Sequence, residues 1–182
     1  MQGAYRKVYD SWKSDPEGFW REQAKAIDWF REPDRIFDPE MGMYGRWFPD
    51  AVTNTCHNCL ERHVEGGRAD QTALIHDSPV TGTKTSFTYA EMLVEVKALA
   101  ASMADFGIGK GDRVIIYMPM IPEAVMAMLA CARLGAIHSV VFGGFAAAEL
   151  ATRNEDSQAK LGISPSCGIE PGRIVAYKPL LD

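Results

Sequence analysis

Between Arg113 and Arg153 the chain reads strand, helix, strand, glycine turn and helix, an order that restricts the fold more than any other feature. Arg113 to Met118 is a continuous apolar run, the pattern of a strand covered on both faces. Pro119 ends it, Pro122-Glu123 opens a helix, and Gly135 follows Leu134 as its stop. Ile137 to Phe142 is a second strand, followed by Gly143-Gly144-Phe145 and a helix from about Ala146 to Arg153. Such alternation builds a parallel sheet with right-handed crossovers, so the expected fold class is α/β.

Upstream, Thr88-Tyr89-Ala90-Glu91 fits a capping box opening a helix whose apolar positions Leu93, Val96, Leu99, Ala100 and Met103 recur three and four apart. Gly107 is the expected stop. Ala73–Asp77 and Lys84–Phe87 predict a hairpin around Ser78–Gly82, and Asn54 predicts the start of a helix running to about Val64 before Gly66-Gly67. The first fifty residues differ. Tyr5, Val8, Tyr9 and Trp12 share a helix face, and Asp15-Pro16-Glu17 is a helix start. From Glu32 to Pro49, prolines and glycines alternate with apolar anchors such as Ile36, Phe37, Trp47 and Phe48, which predicts an arm lying across another surface without a core of its own. Near the other end, Gly162 and Pro165 interrupt Leu161–Pro165 where the next strand belongs, and Lys178–Asp182 is apolar without a closing element. The sheet therefore looks unfinished.

With 47% hydrophobic and 24% charged residues the composition is that of a globular chain rather than a disordered one. A net charge of −5 supplies no basic footprint for nucleic acid or an anionic membrane surface. No apolar run approaches the roughly 20 residues of a membrane span, and the start of the chain leads into no signal core, so a cytoplasmic setting is expected. Four cysteines do not make a disulfide scaffold.

Among the motifs, Gly143-Gly144-Phe145 sits where phosphate-bearing ligands approach open α/β sheets, although the spacing is not G-x-G-x-x-G. Neither a P-loop nor a G-x-S-x-G elbow occurs. Cys56-His57-Asn58-Cys59 with His63 supplies three zinc-type donors but no second C-x-x-C, so it is read as two small buried thiols on an amphipathic helix, and no metal is expected. Gly168-Ile169-Glu170-Pro171-Gly172-Arg173 is a turn ending in an arginine, a side chain suited to phosphate.

Several of these segments together resemble a known family. Tyr5–Trp12 with Asp15-Pro16-Glu17-Gly18-Phe19-Trp20 is similar to the N-terminal extension of acetyl- and propionyl-CoA synthetases. Phe87–Glu91 with Gly109-Lys110-Gly111-Asp112-Arg113-Val114 resembles the opening of adenylate-forming enzymes, and Gly135–Phe145 narrows this to the short-chain acyl-CoA synthetases. Ser166–Arg173 with Tyr177–Leu181 resembles the propionyl-CoA synthetase branch most. The resemblance implies a helical extension over 1–65 and a truncated first α/β subdomain of the AMP-binding domain over 66–182. It also implies ATP- and magnesium-dependent activation of propionate or acetate, then acyl transfer to CoA. By that likeness Gly143, Gly144 and Phe145, with Glu170, Pro171, Gly172 and Arg173, line the CoA nucleotide end, and Arg173 pairs with a phosphate. Glu170 stands where many acetyl-CoA synthetases carry a second arginine. The family's phosphate loop, adenine site, acyl pocket and catalytic lysine match no position here, so no catalytic residue is assigned and the ATP and magnesium sites lie outside this chain. The expectation is an N-terminal fragment that is not catalytic alone and whose partner is a missing remainder or another chain. The alternative is a non-catalytic interaction or CoA-binding module.

Overall fold

The structure, a computed structural model, describes residues 3–143 and 147–181. It divides into two compact units, Met1–Asn54 and Thr55–Asp182. In the first, α1 (Ala4–Ser14) buries none of its residues. Asp15 caps α2 (Pro16–Gln23) by accepting from the Gly18 amide at 2.9 Å. The short strands β1 (Phe37–Asp38) and β2 (Arg46–Trp47) pair antiparallel. As its irregular sequence predicts, no core cluster lies in this unit among the described residues, but its apolar anchors pack on one another. Ile36 is 1% exposed, the Phe37 and Trp47 rings lie 4.6 Å apart, and Trp29 packs at a tilt against Phe48, centroids 5.4 Å apart, while donating to the Ala24 carbonyl. The prolines and glycines fold the segment back on itself, so its aromatics find one another rather than only a foreign surface.

The second unit begins with a helical segment over 55–68 that widens to π-type bonding at His57–Glu61 and Val64–Arg68, with Gly67 at φ 81°. It thus extends beyond Val64, the end expected from the sequence. Its buried residues Cys56 and Leu60 join the α/β core rather than the N-terminal unit. The hairpin follows as β3 (Thr72–Ser78) and β4 (Thr83–Thr88). At α3 (Tyr89–Asp105) the capping box forms: Thr88 Oγ1 accepts from the Glu91 amide, and Glu91 accepts from the Thr88 amide at 2.8 Å.

Next come β5 (Arg113–Met118), α4 (Pro122–Leu134), stopped by left-handed Gly135, and β6 (Ile137–Phe142). After them are α5 (Ala147–Ser157) and β7 (Leu161–Ile163). β6 and β7 both pair parallel with β5, giving the order β6-β5-β7. The strand interrupted by Gly162 and Pro165 does form. It ends at Ile163, before Pro165 would have to donate a ladder hydrogen bond. Alternation along β5 sends Val114, Ile116 and Met118 into one core with α3 and α4, and Ile115 and Tyr117 into a second with Val141, Leu150 of α5 and Tyr177. Gly168–Arg173 is more than a turn: β8 (Cys167–Glu170) and β9 (Arg173–Ala176) make a hairpin, and the apolar end closes as the short helix α6 (Lys178–Leu181). β6 keeps Ile137, Val140 and Phe142 at least half exposed.

Candidate functional site

The loop after β5 leads to α4 on one face of the sheet, whereas the loop after β6 leads to α5 on the other. Where neighbouring loops diverge in this way, a crevice opens at the carboxyl ends of the strands, and ligands of open α/β sheets bind there. Gly143 lies in that position. Its amide donates to the Met118 carbonyl at 3.2 Å, pressing the two loops together. A Cβ on Gly143 would stand 2.3 Å from the Tyr177 hydroxyl and 2.9 Å from the Pro119 nitrogen. A Cβ on Gly168 would stand 2.5 Å from the same hydroxyl. The Tyr177 phenol therefore occupies the space left by two glycines, one just after β6 and one on the β8–β9 hairpin. It is 3% exposed and packs against Tyr117 with ring centroids 5.0 Å apart. Burial pushes both phenols above their ordinary range, for Tyr177 with the neighbouring Tyr117, Glu170 and Cys167 adding to it. Neither is an anion near neutral pH, and both act as packing groups with polar tips.

Beside this anchor an open groove of about 540 Å³ runs between the sheet and α5, lined by Tyr117, Leu150, Asn154, Ile163 and Ser164 among others. The other predicted residues lie at the far end of the hairpin. Pro171 and Gly172, with φ 77° at Gly172, form its turn. Across the turn, Arg173 Nε and Nη2 each stand 2.7 Å from Glu170 Oε2. Three residues of strand separate Arg173 at this tip from Tyr177, roughly 13 Å of extended chain. Gly143 abuts Tyr177 at one end of the hairpin, and the Glu170–Arg173 pair sits at the other. Gly144 and Phe145 lie outside the described residues.

Tyr177 and Gly168 are the residues whose role the sequence does not reveal, because a tyrosine ahead of Lys178-Pro179 carries no periodic signal. The C-x-x-C reading is half corrected: Cys56 is fully buried but Cys59 is exposed. Among the described residues no group of three or more His, Cys, Asp or Glu side chains is placed to hold a metal, and no helix is long and apolar enough to cross a membrane.

Residues 60–176 match the AMP-binding enzyme family. The chain belongs to that family. Residues 5–59 also match the acetyl-coenzyme A synthetase N-terminus family. Its relatives include the mitochondrial acyl-CoA synthetase short-chain family member 3 of Bos taurus, 47% identical over 99% of this chain and 26% of the relative. An acetyl-coenzyme A synthetase of Streptomyces avermitilis is 46% identical over 97% of this chain and 27% of the relative. An acetoacetyl-CoA synthetase structure from Streptomyces lividans superposes on 99% of the chain and 28% of its own, with a TM-score of 0.88 at 24% identity, which shows a shared fold. The α/β architecture is therefore that of the N-terminal part of an adenylate-forming enzyme. The chain spans about a quarter of the length of the curated relatives it matches.

Proposed function

We propose that this chain is the N-terminal portion of an ATP-dependent short-chain acyl-CoA synthetase, converting propionate or acetate, ATP and CoA to acyl-CoA, AMP and pyrophosphate when joined to the rest of the enzyme. The observation that carries this reading is identity of 46–47% over nearly the whole chain against about a quarter of each relative. The chain's own part is to hold the nucleotide end of CoA, with Gly143, Gly144 and Phe145 beside it and Pro171 and Gly172 presenting Arg173 to a phosphate. The fit is local. Arg173 has a planar guanidinium with 71% of its side chain exposed, held by an ion pair that a phosphate dianion can replace. Glu170 is the present partner of that guanidinium and competes with the phosphate. ATP, magnesium and the carboxylate must meet in one place for adenylation, and we assign their sites to the remainder of the enzyme.

Arg173→Ala is expected to weaken CoA binding about tenfold, ~1.4 kcal/mol, the lower range for a hydrogen bond to a charged group. Isothermal titration of CoA into both proteins measures it, and equal affinities would remove Arg173 from the site. The half-exposed apolar residues of β6 favour a second reading, an interaction module whose partner covers that edge. It is separated from the first by whether the purified chain binds CoA at all.

A further inference from the structure

Cys56 and Cys59 have no part in the function proposed above, yet their setting is selective. Both lie in the first turn and a half of the helical segment beginning at Thr55, three residues apart. Cys59 is open to solvent, whereas Cys56 is fully buried and hydrogen-bonded to the Arg133 guanidinium. Arg133 in turn donates to Glu61 Oε1 at 2.8 Å, one helical turn beyond Cys56. Cys131 stands apart: burial pushes its thiol up to about 11, which leaves it inert.

We propose that Cys56 and Cys59 form a reversible dithiol switch, oxidised by a peroxide to an intramolecular disulfide. Residues three apart on a helix have Cα atoms ~5 Å apart, inside the ~4.4–6.8 Å that a disulfide spans. The sulfurs must still approach one another.

The two thiols have different duties. The Cys59 thiolate attacks one oxygen of the peroxide; a sulfur–oxygen bond forms, the oxygen–oxygen bond breaks, and hydroxide leaves to become water. The Cys56 sulfur then attacks the sulfenic sulfur of Cys59. A sulfur–sulfur bond forms, the sulfur–oxygen bond breaks, and the departing hydroxyl takes the Cys56 proton as water. Two thiols and one hydrogen peroxide give one disulfide and two waters. Burial raises the Cys56 thiol above its ordinary range, partly offset by Arg133, which suits a resolving thiol rather than the one that meets the oxidant. The new bond draws the Cys56 sulfur away from Arg133 and from its seat against the α3 and α4 core.

The test treats the reduced full chain with hydrogen peroxide, blocks remaining thiols with N-ethylmaleimide and maps its peptides by mass. The peptide carrying both cysteines is expected to lose two hydrogens and to regain them with dithiothreitol. Cys59→Ser, at an exposed position, should abolish the loss and leave Cys56 unmodified. Cys56→Ser should leave Cys59 as a sulfenic acid trapped by dimedone. The oxidised chain should melt several degrees below the reduced one, and recover on reduction. Cys59 found as sulfinic acid beside a free Cys56 in the unaltered chain would overturn the proposal. So would both thiols surviving an exposure that oxidises Cys167, or a melting point unchanged by the disulfide.

Discussion

Gly143→Ala is expected to cost the α/β unit about 2–3 kcal/mol, and a second substitution at Tyr177 should recover only part of it. The added methyl meets two kinds of neighbour. One is the Tyr177 hydroxyl at 2.3 Å, which a smaller side chain removes. The others are the Pro119 nitrogen at 2.9 Å and the Met118 carbonyl carbon at 3.0 Å, backbone atoms fixed by the β5 ladder. Gly168→Ala is the internal control. Its three nearest atoms all belong to Tyr177, at 2.5, 3.0 and 3.2 Å. Tyr177→Leu should therefore offset most of the cost of Gly168→Ala and much less of that of Gly143→Ala. Urea denaturation of the single and double variants reads both coupling energies. Equal rescue at the two glycines would mean that Tyr177 does not join the sheet to the hairpin as described.

The second large effect is expected at Arg133. Its guanidinium binds Glu61, whose side chain is 19% exposed and also lies 3.7 Å from both Lys97 and His57. Arg133→Ala leaves that carboxylate and the Cys56 thiol without their main partner, at about 1–3 kcal/mol, reduced from the fully buried case by the exposure remaining on both side chains. Burial works to raise the Glu61 carboxyl, but the hydrogen bond and charge of Arg133, then Lys97 and His57, outweigh it and hold the group below its ordinary value. A carboxyl depressed by folding contributes stability that is complete above its unfolded value, about 4.3, and lost as pH falls through the lower folded value. The stability gap between the unaltered chain and Glu61→Gln should accordingly be widest near neutral pH and close in acid. Urea midpoints followed from pH 7 downward check this, and a gap that widens in acid would reverse the assignment.

Much of the α/β unit is legible in the sequence because its signals are local. The capping box at Thr88 and Glu91, Pro122 at a helix start and Gly135 at its end each act within a few residues, and all appear as predicted. β7 is harder to see because three residues carry no periodicity, and its partners Val114–Ile116 lie nearly fifty residues away. The aromatic contacts of the N-terminal unit are hidden for a similar reason: Phe37 meets Trp47, and Trp29 meets Phe48, only after the prolines and glycines have turned the chain. Of the candidate site, the glycine turn and Arg173 could be named from sequence. The tyrosine that fits against Gly143 and Gly168 could not, since nothing local distinguishes it.

The most direct test of the central claim is AMP release by the purified chain supplied with ATP, magnesium, propionate and CoA, beside a full-length acetyl-CoA synthetase. The account predicts no AMP above the enzyme-free blank from the chain while the full-length enzyme turns over. AMP formation that scales with the concentration of the chain would contradict it, because adenylation would then be carried by residues placed here outside the chemistry.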